Sequence, residues 1–131
     1  MKLESKRILV VDPDDETARQ LASVFVEEGY DVEVRASISA MAERIRDARF
    51  DCVIMDVDLP EMAGYKAVSI IKTIDPSIQV IMTAAKNSAE LESEIRKQDI
   101  FYYYIKSFDR EELIEAVRDV FRKIEKQSET Q

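Results

Sequence analysis

Short apolar runs alternate along this chain with longer segments in which apolar residues return every three or four positions. The runs fall at 7–11, 31–35, 52–55, 79–83 and 101–105, each of strand length and bounded by polar or turn-forming residues. The first helical segment carries Ala18, Leu21, Ala22 and Phe25 and reaches Gly29, which suits a left-handed C-terminal cap. The second carries Ile38, Met41, Ala42 and Ile45 behind Ser37, an N-cap type. The third carries Val68, Ile71 and Ile74 before Asp75-Pro76 stops it. A fourth, over about 88–97, has only Leu91 and Ile95 as main anchors, so its local well is shallow. The last carries Leu113, Val117, Val120 and Ile124, with Asp109 placed to cap it. Ile114, Ala116 and Phe121 widen its stripe beyond one sheet contact. That width reads as deeper burial, with a dimer face as the competing explanation.

Five strands alternating with five helices predict an α/β domain with a parallel, doubly wound sheet. In such sheets the binding crevice lies beyond the carboxyl ends of the strands, where strand order reverses. The residues just past each strand therefore carry the chemistry. The first strand is followed by Asp12-Pro13-Asp14-Asp15-Glu16. The third is followed by Asp56-Val57-Asp58-Leu59-Pro60. The fourth ends at Thr83 and the fifth at Lys106. The second adds no carboxylate, as expected of an edge strand.

Singly, these residues have ordinary roles: Asp12, Asp14 and Asp15 as helix caps, Thr83 as a strand residue, Lys106 as a surface cation. Asp56 resists that explanation. It follows four apolar residues, where an uncompensated charge costs several kcal/mol.

Composition narrows the chemistry. The 131 residues suit one domain, and 46% apolar with 35% charged residues suits a folded one. A net charge of −8 without a basic run speaks against direct nucleic-acid binding. No apolar run approaches the length of a membrane span, so no membrane association and a cytoplasmic location are expected. Histidine is absent and Cys52 is the single cysteine. Common zinc sites and Ser-His or Cys-His nucleophiles are thereby excluded. Cys52 reads as a small buried hydrophobe. Residues 1–126 are expected to form the domain and 127–131 a solvated tail.

Ile8-Leu-Val-Val-Asp12, Asp56-Val-Asp-Leu-Pro60 with Gly64, Met82-Thr-Ala84, and Tyr103-Tyr-Ile-Lys106 leading into Phe108-Asp-Arg-Glu-Glu-Leu113 stand in an order and spacing that resemble a response-regulator receiver domain over roughly residues 6–125. The resemblance implies a flavodoxin-like sheet of order 2-1-3-4-5. It makes Asp56 the phosphoacceptor from a histidine kinase or phosphotransfer protein, and the chain a two-component signalling domain rather than an enzyme. Asp12, Asp56 and Asp58 would serve Mg²⁺, Asp58 through its backbone carbonyl. Lys106 and Thr83 would contact phosphoryl oxygens. Thr83 and Tyr103 would switch the face made by the fourth helix, fifth strand and fifth helix, the same face through which the broad stripe of the last helix, on its competing reading, would form a homodimer. A carboxylate nucleophile meeting an anionic phosphoryl group needs such cationic compensation.

Two departures stand out. Pro13 occupies the position of a second acidic metal ligand, which predicts weakened Mg²⁺ binding; Asp14 or the Asp58 side chain are the candidate substitutes. Ser107 replaces a proline that often follows a cis bond. A non-proline cis bond costs about 3 kcal/mol, so a trans Lys106–Ser107 bond, or a strained cis one, with some displacement of Lys106 is expected. Gln98-Asp99-Ile100 also replaces the usual small residues. A degenerate receiver acting only as a protein-binding module is therefore the main alternative. A haloacid-dehalogenase-type phosphatase using Asp56 and Asp58 is a remote one. A flavodoxin-like cofactor site is disfavoured by the acidic loop after the first strand.

Overall fold

The structure, a computed structural model, describes residues 6–107 and 109–129. Its strands are β1 (Arg7–Val11), β2 (Asp31–Arg35), β3 (Cys52–Asp56), β4 (Gln79–Ala84) and β5 (Tyr102–Ile105). Its helices are α1 (Asp15–Glu27), α2 (Ile38–Asp47), α3 (Val68–Ile74), α4 (Ala89–Arg96) and α5 (Arg110–Glu129). All neighbouring strands are parallel, in the order β2-β1-β3-β4-β5. Both the fold class and the strand order match the sequence reading.

Residues that alternate along the central strands divide the core in two. Leu9, Val11, Val53 and Met55 face α2, α3 and α4. Ile8, Val10, Cys52 and Ile54 face α1 and α5. Burial on both faces explains why β1 and β3 read as unbroken apolar runs. Cys52 is fully buried, and burial pushes its thiol pKa far up.

Helix ends follow local chemistry. Gly29 adopts φ +98°, and Tyr30 N–H reaches the Phe25 carbonyl at 3.0 Å while Gly29 N–H reaches Val26 at 3.0 Å. That pair forms a Schellman cap. Ser37 and Ser88 accept the Ala40 and Leu91 amides. Asp109 accepts from the Glu111 amide at 3.1 Å. Asp14 departs from its expected capping role, because its carboxylate takes the Thr17 hydroxyl at 2.6 Å instead of a backbone amide.

Three further differences arise. A 3-10 turn, Gly64–Ala67, precedes α3. Helix α5 continues to Glu129, so 127–129, expected as tail, are helical and exposed; residues 130 and 131 lie outside the described residues, as do 1–5 and Phe108. The broad stripe of α5 is explained by burial: Leu113, Val117 and Val120 are fully buried, and Ile114, Ala116 and Phe121 nearly so. Helix α4 is the weakly held one, with Ile95 its only buried residue.

Candidate functional site

Sheet register assembles the site. Asp56, the last residue of β3, is the cross-strand partner of Thr83 on β4. Val11 pairs with Met55, so Asp12 emerges level with Asp56 on the adjoining central strand. Ala84 pairs with Ile105, and the Lys106 amide still bonds the Ala84 carbonyl at 2.8 Å. Four side chains from four strands thereby meet at one rim.

The cluster is nearly closed to solvent, with Asp12 2%, Asp56 5% and Thr83 1% exposed. The Lys106 ammonium lies 2.8 Å from Asp12 Oδ2 and 2.8 Å from Asp56 Oδ1. Thr83 Oγ1 donates to Asp56 Oδ1 at 3.3 Å. The Asp58 amide donates to Asp56 Oδ2 at 3.0 Å, and the Asp14 amide to Asp12 Oδ1 at 2.9 Å. Burial alone would lower the lysine pKa, but hydrogen bonds to Asp12 and Asp56 outweigh it and hold the pKa above its ordinary value. Two carboxylates thus coexist near the core because one ammonium serves both.

The structure brings Asp12, Asp56, Thr83 and Lys106 together. The side chain of Asp58 is exposed, and among the described residues no three carboxylates converge as a metal-holding group. Tyr103 stands apart from the cluster, its hydroxyl donating to Asn87 Oδ1 at 2.9 Å. Every peptide bond among the described residues is trans; Lys106 reaches both carboxylates across a trans bond to Ser107.

Two further residues support the site: Gly64, already among the residues that carry the resemblance, and Glu61, which escaped sequence reasoning. Gly64 returns the chain against Asp56 so closely that a Cβ would overlap the Asp56 carbonyl oxygen. Its amide bonds the Val57 carbonyl at 2.7 Å. Glu61 reaches across to α2 and accepts the Ile38 and Ser39 amides at 2.8 and 2.9 Å. Those bonds hold its carboxyl below the usual range and anchor the loop after Asp56 to a helix N-terminus.

The family description "Response regulator receiver domain" matches residues 8–118. The chain belongs to the response regulator receiver family. Its receiver domain is 29% identical over 116 residues to the chemotaxis protein CheY of Thermotoga maritima, covering 88% of this chain and 97% of that one. It is 32% identical over 107 residues to the regulatory protein AtoC of Escherichia coli, covering 82% of this chain but only 23% of that protein. A CheY-like receiver structure from Methanospirillum hungatei superposes with a TM-score of 0.82 at 25% identity, covering 95% and 99% of the two chains. The beryllofluoride-activated NtrC4 receiver domain dimer superposes at 0.83 with 23% identity, covering 89% and 97%, a likeness of fold alone.

Receiver domains are signalling domains that interact with kinases or phosphotransfer proteins and are phosphorylated on aspartate. They generally bind Mg²⁺ at the acidic pocket. Here the donor set is oxygen only, which fits a hard cation in kind, yet it supplies two carboxylates. No helix among the described residues is long and apolar enough to cross a membrane.

Proposed function

We propose that Asp56 accepts a phosphoryl group from a phosphohistidine on a partner histidine kinase or phosphotransfer protein. An Asp56 oxygen forms the new O–P bond as the P–N bond breaks, and the imidazole leaves with the bonding pair. The observation that carries this reading is the Lys106 ammonium 2.8 Å from both Asp56 and Asp12. It is placed to pair with an incoming phosphoryl oxygen, a contact that strengthens as negative charge develops. The Thr83 hydroxyl, already bonded to Asp56, is placed to turn to another. Mg²⁺ would be held by the Asp12 and Asp56 carboxylates and the Asp58 carbonyl, and would neutralise phosphoryl charge. Pro13 supplies no side-chain ligand, which supports weakened metal binding.

The output is a change at the face formed by α4, β5 and α5, with Tyr103 as the responding aromatic and a homodimer through that face as the activated arrangement. The domain acts in the cytoplasm as a phosphoacceptor, its own chemistry limited to self-phosphorylation and slow dephosphorylation. Treatment with acetyl phosphate and Mg²⁺, read by mass spectrometry, tests this: one phosphate adduct is expected on the wild type and none on Asp56→Asn. A second reading, a receiver-like interaction module without phosphorylation, is favoured by Pro13 and by the full pairing of both carboxylates. Absence of any spectral response to beryllofluoride selects it.

A further inference from the structure

Thr83 is followed by Ala84, the end of β4, and then by an exposed loop, 85–88, that leads into α4. On the adjacent strand Tyr103 is paired with Met82, one residue before Thr83, and its ring packs partly against the core. Its hydroxyl reaches back over the loop to Asn87 Oδ1 at 2.9 Å. The amide nitrogen of Asn87 donates in turn to Glu92 Oε2 at 3.3 Å, and the other Glu92 oxygen pairs with Arg96 at 2.6 Å. Asn87 therefore joins β5 to the first turn of α4 through the same loop that follows Thr83. Both of its polar ends are engaged, accepting from a phenol and donating to a carboxylate. An alanine offers neither interaction.

We infer that Asn87 is a positioning residue that holds Tyr103 in its present rotamer and sets the resting bias of the switch. The inference rests on the proposed function and deepens it. When Thr83 turns toward a newly bound anion, the loop that carries Asn87 is pulled, and the Tyr103–Asn87 bond is what resists. Helix α4, anchored by one buried residue, offers little further resistance. One neutral hydrogen bond of this kind biases the resting equilibrium by about fivefold.

The test uses the full chain labelled with 3-fluorotyrosine, the Tyr103 resonance being assigned by its loss in Tyr103→Phe. Without any phosphoryl donor, Asn87→Ala is expected to shift or broaden the Tyr103 signal and leave the other four tyrosines unmoved, which also verifies the fold. An unchanged Tyr103 signal overturns the inference. Acetyl phosphate then gives a kinetic reading on the wild type, Asn87→Ala, Tyr103→Phe and the double variant. The two single changes should alter the adduct rate in the same direction by about fivefold, and the double by no more than the larger single. Fully multiplicative effects would mean the two residues share no bond and would also overturn it. If the wild type forms no adduct at all, the proposed function fails, and the fluorine signal alone decides whether Asn87 holds Tyr103.

Discussion

Lys106 and Asp12, 94 residues apart in the chain, are joined by a 2.8 Å charged hydrogen bond. The lysine is 23% and the aspartate 2% exposed at the side chain, so the pair sits where water screens it poorly. Replacing Lys106 with methionine leaves Asp12 and Asp56 facing each other without their shared cation. Urea unfolding without divalent cations should show a loss of about 2 kcal/mol, less than for a wholly buried pair. Added Mg²⁺ should recover part of it. Unchanged stability would mean the two carboxylates are not balanced by this ammonium.

Pro13→Asp adds a carboxylate beside the existing two. Calorimetric titration should show Mg²⁺ binding tightened by about tenfold, since affinity at oxygen sites follows ligand charge. The same change should lower stability without the metal, because a third like charge crowds the pocket. Equal affinity in the two proteins refutes the reading of Pro13.

Gly64→Ala drives a methyl group into the Asp56 carbonyl. Neither side of that contact is the free end of a flexible side chain, so the main chain has to move. Denaturant unfolding should report a loss of about 1–3 kcal/mol, with slower phosphate uptake from acetyl phosphate as Asp56 is displaced. A fully stable variant would show that the turn is slack.

Tyr102 is held near pKa 12, first by burial and then by its hydrogen bond to Glu112. The folded phenol keeps its proton above the ordinary 10.0, whereas the unfolded one releases it there. This group's contribution to stability is therefore complete below pH 10 and is lost as pH rises through about 12. Burial also raises Tyr30, Tyr103 and Tyr104, so the Tyr102 ionisation is read as the absorbance difference between the wild type and Tyr102→Phe. It should fall near pH 12, and Glu112→Gln should bring it down. A late ionisation that persists unchanged in the variant would leave burial as the sole cause.

The strand ends were legible because each apolar run stops at a polar residue whose position past the strand has a fixed meaning in a parallel sheet. Asp12, Asp56, Thr83 and Lys106 could be placed on one rim from that alone, and register brought them into contact. The capping role of Ser37 was legible because it acts on an amide three residues away; Ser88 does the same for Leu91, though the sequence reading placed it inside its helix rather than before it. Glu61 was not, since its partners lie 22 and 23 residues upstream and the loop conformation decides whether it reaches them. Asn87 is similar, its phenol partner being 16 residues away on another strand. Asp14 looked like a cap by type, but Thr17, also within reach, took its carboxylate. The extent of α5 was misjudged because 127–129 carry no apolar anchor, and helix propagation costs little once a long segment is seated.

The burial of α5 also bears on how anything could associate with it. Every apolar side chain this helix carries among the described residues is turned at least partly inward. Its outward side offers Glu111, Glu112, Asp119, Arg122, Lys123, Glu125 and Lys126. Adhesion there rests on opposite charges meeting across water rather than on oily contact. A visitor to that surface is steered from afar in dilute buffer, is released as ionic strength climbs and the screening length drops below about 8 Å, and is chosen by its pattern of charges.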